Sequence, residues 1–311
     1  MSEKKKLIIP ELKKGSLSIN TKNTNNKLKS VNLNKPNISK IFGEESNIKK
    51  EIEENTEFDL LLIGDLTGSM EMYREVLKNK FKEISKTLFK LIDNLSIGII
   101  FYLDHGCGDP YITKVHELSK DINSLFNFIK DTPNGYGGDE DEAVEDALND
   151  ALNINWNQKG IKSIVLFGDA KPHQPHECPE KLDYFKIVEK LYKNKITINT
   201  VYCSDIDDVE NLYKVNIGDF SKRVTNLNNG EFFSWTANVT GGISIGIKDI
   251  DDIVDIIQAM AAKDAGKIDE LEKEVKNNIT TIKIPVLKKI KEQSIKIEEK
   301  KKILGISNNN Y

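Results

Sequence analysis

Three short segments of this chain bring carboxylates and hydroxyls together in spacings that suit a hard cation. Asp65-Leu66-Thr67-Gly68-Ser69-Met70 offers one carboxylate and two hydroxyls at i, i+2 and i+4. Mg²⁺ takes such oxygen donors and keeps part of its water, and Gly68 lets the backbone turn sharply. The same residues also read as a helix start, with Thr67 or Ser69 capping free amides. In the second segment, Gly135-Tyr136-Gly137-Gly138-Asp139-Glu140-Asp141-Glu142-Ala143, a glycine-rich loop delivers acids to a helix N-terminus whose dipole favours them. Asp139, directly after the glycine pair, is expected to point inward. Glu140, Asp141 and Glu142 are expected to be an ordinary acidic first turn. The third segment, Gly168-Asp169-Ala170-Lys171-Pro172-His173, places Asp169 at a strand end.

Two further groups bear on the same chemistry. Asp104-His105 ends a strand, either lining the same rim and steadying metal-bound water or capping a turn beside a surface histidine. His173, His176 and Cys178 have an H-x-x-H-x-C spacing open to zinc, but no fourth ligand is evident, and the loop is expected to be metal-free. Asp205, Asp207 and Asp208, like Asp249, Asp251 and Asp252, lack the glycine and terminal Glu of a calcium loop and read as helix starts.

The elements that must position these residues alternate. Residues 58–64 are a nearly continuous apolar run, the pattern of a strand buried on both faces. A helix over 73–93 follows, with apolar residues recurring at three and four. Strands are predicted at 97–103, 111–118, 163–167, 196–202 and, shorter, 231–235. Helices are predicted at 121–130, 140–152, 181–193, 208–224 and 250–262. This order implies an α/β fold, a doubly wound and mostly parallel sheet with one antiparallel edge strand, flanked by helices. Ligands of such sheets gather beyond the carboxyl ends of the strands, which puts Asp65 and Asp169 on one rim.

The 311 residues divide into a Lys/Asn-rich tail over 1–55, expected to be disordered, an ordered domain over 56–265, and a charged helical extension over 266–311. In the extension, a ragged apolar stripe around Pro285 is expected to pack loosely or to bind a partner. A net charge of -4 gives no global sign of nucleic-acid binding. Three scattered cysteines exclude a disulfide framework. With no signal peptide or membrane span in the sequence, a cytoplasmic protein is expected.

Together the Asp65–Met70 turn, the Gly-Gly loop before a helix and the strand-end Asp169 resemble the metal-ion-dependent adhesion site of von Willebrand factor type A domains. The order and spacing are most similar to the domains associated with atypical alpha-kinases, at Asp65–Met70, Asp104-His105, residues 137–143, residues 169–173 and Thr240-Gly241-Gly242. The resemblance covers roughly residues 58–265. It implies Mg²⁺ or Mn²⁺ held by Asp65, Thr67, Ser69, Asp139 and Asp169, with Asp104, His105 and His173 around them. It also implies a non-catalytic module that binds another protein through the metal-site rim. Thr67 stands where the family usually has Ser, which keeps the hydroxyl. Asp139 stands where it usually has Thr, which adds a charge and implies a metal less dependent on an acidic partner.

Alternatives remain at this level. They are a scaffold with a degenerate, metal-free site, a metal-assisted phosphohydrolase, and a subunit regulating a separate kinase. The chain carries no P-loop, no dinucleotide fingerprint and no nucleophile elbow.

Overall fold

Every residue of β1, Phe58–Asp65, is buried, as the continuous apolar run requires. The computed structural model describes residues 56–247 and 249–306; the Lys/Asn-rich tail expected over 1–55 lies outside them. β1 is followed by a single 3₁₀ turn, Gly68–Met70, and by helix α1, Glu71–Leu91. Next come β2, Leu95–Tyr102, β3, Thr113–Ser119, α2, Ile122–Asp131, and α3, Val144–Ala151. β4, Ile161–Gly168, α4, Tyr184–Lys193, and β5, Ile196–Tyr202, follow. The described chain ends with α5, Asn229–Thr240, β6, Ser244–Gly246, α6, Asp252–Asp264, α7, Ile268–Lys276, and α8, Ile284–Ile303.

The strands form one six-stranded sheet in the order β3-β2-β1-β4-β5-β6. All neighbours are parallel except β2 and β3, so the antiparallel edge is where the short β–β connection implied it. On one face pack α1, α2, α6 and α8, through residues such as Phe81, Leu125, Ile257 and Ile290. On the other pack α3, α4 and α5, through Leu148, Val188 and Trp235. The chain reverses its direction of travel between β1 and β4. That crevice, beyond the strands' carboxyl ends, is where sheets of this order bind ligands.

Two sequence expectations fail between β5 and β6. Residues 208–224 are not a helix; only the 3₁₀ turn Val209–Asn211 forms there. Residues 231–235 are not a strand but lie within α5. Asn228 and Glu231 form a capping box: Asn228 Oδ1 accepts from the Glu231 amide, and Glu231 Oε2 from the Asn228 amide. Phe232, Phe233 and Trp235 are fully buried within a helix that is buried on nearly all sides.

The ragged stripe of the C-terminal segment is buried in part, with Ile295 left exposed. Leu287, Ile290 and Ile297 join the core, and Gln293 Nε2 donates to Ser244 O at 3.2 Å, tying α8 to β6.

At the opposite end of the sheet from the rim, Asp264 pairs with Lys263 at 2.5 Å. It also accepts from Ser163 Oγ and Asn199 Nδ2, both at 2.6 Å. Desolvation would raise its carboxyl; Lys263 and these donors outweigh it and hold the carboxyl below its usual range. Asp264→Ala leaves the Lys263 ammonium without its partner. The expected loss is on the order of 3 kcal/mol, read as a lower urea midpoint with unchanged slope.

Candidate metal centre

The site is built at the carboxyl end of β1. Asp65, its last residue, is 1% exposed. Asp65 Oδ1 accepts from the Thr67 amide at 2.8 Å and from Thr67 Oγ1 at 2.7 Å, which fixes the turn. Asp65 Oδ2 is buried and has no hydrogen-bond donor. Thr67 is buried as well, and its hydroxyl lies 3.5 Å from that of the exposed Ser69. Thr67 and Ser69 therefore do not cap α1 with their side chains: no side-chain cap bond is made there.

The second loop does not arrive as the sequence implied. Asp139 is exposed, with its side chain 69% accessible. Its Oδ1 accepts from the Asp141 amide at 2.8 Å and stands 3.6 Å from His173 Nε2. Glu142 is the acid that turns inward. It is buried, its Oε2 has no donor, and its neighbours are Asp65, Asp104, Thr67 and Asp169. The backbone explains the choice. The Glu142 amide donates to Lys171 O at 3.1 Å, and the Ala143 amide donates to Leu103 O at 3.0 Å. These bonds thread Glu142 between the ends of β2 and β4, whereas Asp139 is still on the loop surface. Gly137, at φ 76°, clears the space: a Cβ there would stand 2.9 Å from Glu142 Oε1 and 3.5 Å from Thr67 Cβ.

Two aspartates hold that loop. Asp109 accepts from the Tyr136 and Gly137 amides at 2.8 and 3.3 Å. Asp104, buried, accepts from the Gly138 amide at 2.6 Å and the Asp139 amide at 3.3 Å. Asp104 thus lies on the rim and positions the glycine pair. Asp169, half-buried, follows β4 beside Asp65, and a Cβ on Gly168 would come within 3.4 Å of Asp65 Oδ2. The Tyr102 hydroxyl is also buried there without a partner. Nothing in its sequence context, the end of an apolar strand, singled it out.

Burial pushes the Asp65 carboxyl up to about 7, with Asp169 and Asp104 adding to it and Thr67 opposing. Burial first, then Asp65 and Asp104, push Glu142 up to about 9. Two buried carboxyl groups, each with an oxygen lacking a donor and each facing further carboxylates, have the oxygen chemistry that suits a hard divalent ion. Asp65, Thr67, Ser69, Glu142 and Asp169 are its candidate ligands.

Beside this centre lies a second cluster. His105 Nε2 is 3.2 Å from Glu145 Oε1 and 2.9 Å from Asp146 Oδ2. His173, buried, has Nδ1 at 3.3 Å from Glu145 Oε1 and Nε2 at 3.4 Å from Asp104 Oδ1. Burial alone would lower the His173 imidazole; Glu145, Asp104 and Asp139 outweigh it and raise it to about 9. His176 takes no part in the cluster. Its side chain is 79% exposed beside Glu177, so the H-x-x-H-x-C spacing does not assemble.

With one antiparallel edge strand, helices on both faces and the site at the β1–β4 crevice, the sheet has the architecture the resemblance implies. The fold is von Willebrand factor A-like. No family model matches the chain. Over 150 residues, 46% of its length, it is 27% identical to the Alpha-protein kinase vwkA of Dictyostelium discoideum, and it spans 24% of that protein. It is similar to a von Willebrand factor type A structure from Catenulispora acidiphila, with TM-score 0.47, 17% identity, and 68% and 43% of the two chains covered. It is also similar to proximal thread matrix protein 1 from the mussel byssus, with TM-score 0.47, 14% identity, and 68% and 47% covered.

The exposure of Asp139 has a direct consequence. Asp139→Thr, which restores the residue type common in the family, is expected to leave Mn²⁺ affinity unchanged in calorimetry.

Proposed function

We propose that the chain is a non-catalytic protein-binding module whose rim carries Mg²⁺ or Mn²⁺, held by Asp65, Thr67, Ser69, Glu142 and Asp169. The observation that carries this reading is the pair of buried carboxylate oxygens without donors, Asp65 Oδ2 and Glu142 Oε2. Unpaired buried acids are costly, and a dication between them removes that cost.

Glu142, rather than Asp139, supplies the extra negative charge. Three carboxylates satisfy much of a dication's charge, so the metal is a weak electrophile. It orders the rim more than it captures an acidic group from a partner. The partner then reads the rim's surface. Tyr136 is 90% exposed and its carbonyl lies against Gly68, while Met72, at the start of α1, is 69% exposed. Exposed aromatic and Met side chains beside a rigid polar centre are common anchors of protein interfaces.

Several observations favour binding over catalysis. Lys171, the cation best placed by sequence to aid phosphoryl transfer, pairs with Asp141. Two surface cavities, of about 580 and 610 Å³, are lined by residues 210–238 with Lys300, and by residues at the far end of the sheet, rather than by the rim. No described helix is long and apolar enough to cross a membrane.

The similarity to an alpha-protein kinase favours a narrower version, in which the bound protein is a kinase. Affinity capture with the full chain tests both. Partner recovery is expected to fall with EDTA and with Tyr136→Ala, and kinase activity in the eluate would support the narrower version. Recovery indifferent to EDTA and to Asp65→Ala would favour a metal-free scaffold.

A further inference from the structure

The cluster formed by His105, Glu145, Asp146 and Cys178 is not used by the rim site. It mixes one imidazole, two carboxylates and one thiol, drawn from three segments: the loop after β2, the first turn of α3, and the loop between β4 and α4. One donor atom from each lies within 4.8 Å of all the others. Around a tetrahedral Zn²⁺, with bonds of about 2.0–2.3 Å, donors stand about 3.3–3.6 Å apart. Here His105 Nε2 is 3.2 Å from Glu145 Oε1 and 2.9 Å from Asp146 Oδ2, and Cys178 Sγ is 3.9 Å from Asp146 Oδ2.

A cluster held only by hydrogen bonds accounts for His105, which has two carboxylates in reach. It accounts for Glu145 as well, which takes His105 Nε2 on Oε1 and the His173 amide on Oε2. It does not account for the rest: Cys178 makes only a long contact with Asp146, and the buried His173 aims Nδ1 at Glu145 Oε1, 3.3 Å away, without making a hydrogen bond. A cation on Glu145 Oε1 would use the charge that the cluster concentrates there.

We propose that His105, Glu145, Asp146 and Cys178 form a second metal site, selective for a borderline-soft cation of the Zn²⁺ class. Hard Mg²⁺ prefers an all-oxygen set, whereas imidazole and thiolate favour Zn²⁺ or Co²⁺. The ion would pin together the three segments that hold the rim. Glu145 Oε2 also accepts from the His173 amide at 3.1 Å, and His173 Nε2 faces Asp104, whose carboxylate carries Gly138. This site stands independently of the rim reading, because neither Asp65 nor Glu142 is among its ligands.

The test is titration of Co²⁺ into the chelator-stripped full chain, reading the sulfur-to-cobalt charge-transfer band in the near ultraviolet. The wild type is expected to give a saturable band that Zn²⁺ displaces and excess Mg²⁺ does not. Cys178→Ser removes the band, and His105→Ala weakens the Co²⁺ binding that the band reports at least about tenfold. Absence of the band in wild type, or its persistence in Cys178→Ser, overturns the proposal. Alkylation mapped by mass spectrometry needs no variant. Zn²⁺ is expected to slow modification of Cys178 and not of Cys107; equal rates with and without Zn²⁺ would also overturn it.

Discussion

Glu142→Gln is expected to stabilise the metal-free protein and, in the same variant, to weaken Mn²⁺ binding at least about tenfold. Folding buries Glu142 among Asp65, Asp104 and Asp169, and its carboxyl rises to about 9. At neutral pH, folding must therefore place a proton on a group that is ionised when unfolded. Glutamine has the shape of the protonated acid and avoids that work, and its amide can donate to an oxygen that lacks a donor. The gain should be on the order of 1–3 kcal/mol, which for a domain of this size raises the melting temperature by roughly 2–10 °C. The metal loses a charged ligand at the same time. Opposite changes in stability and binding mark a residue retained for a ligand rather than for the fold. If Glu142 were only the first-turn acid of a helix, Gln would change stability by a few tenths of a kcal/mol and leave Mn²⁺ affinity intact. Differential scanning fluorimetry in EDTA and calorimetry with Mn²⁺ read the two halves separately.

The second large effect is on pH. Asp65 rises from 3.8 to about 7 and Glu142 from 4.5 to about 9 on folding, both chiefly through burial. Acids that hold protons more tightly when folded add stability that is complete below their unfolded values. That stability is lost as pH rises through the folded ones. His173, raised to about 9 by its carboxylate neighbours, acts in the same direction. The metal-free protein should therefore melt at lower temperature at pH 8.5 than at pH 6. Mg²⁺ competes with the same protons, so its binding strengthens over the same window. The rise in melting temperature on adding saturating Mg²⁺ should be larger at pH 8.5, by mass action on the folded state. A Mg²⁺-induced shift that is the same at both values, or larger at pH 6, would contradict this assignment of the acids.

Much of the fold was legible because its strands are buried on both faces. β1 and β4 carry apolar runs without a partner face to alternate with, β5 is β-branched nearly throughout, and α1 has an unbroken three-four period. The stretch over 208–240 was not legible for the opposite reason. α5 is buried nearly all round, so it has no polar stripe to mark its period, and its Phe-Phe-Ser-Trp run reads as a strand. Its one local signal was the capping box, Asn228 with Glu231 three residues on. The apolar residues over 209–224 lie along irregular chain, where Val209 and Val224 pack against the core without forming a helix.

Of the site, the Asp65 turn and the strand-end Asp169 follow from residue types at strand ends. Which of four consecutive acids turns inward does not. What separates Asp139 from Glu142 is how the backbone is pinned, and the bonds that decide it run from Glu142 and Ala143 to Lys171 and Leu103, distant in sequence. Glu145 and Asp146 likewise look like surface helix acids until His105 and Cys178 are brought to them by other segments.

The central claim is that the carboxylates at the β1–β4 crevice hold a divalent cation. It is tested most directly by calorimetric titration of Mg²⁺ and Mn²⁺ into the full chain, wild type beside Asp65→Ala. The account predicts saturable binding in the wild type, at millimolar affinity or tighter, and its loss in the variant with the fold retained by circular dichroism. No saturable binding in the wild type, or equal binding in Asp65→Ala, would contradict it.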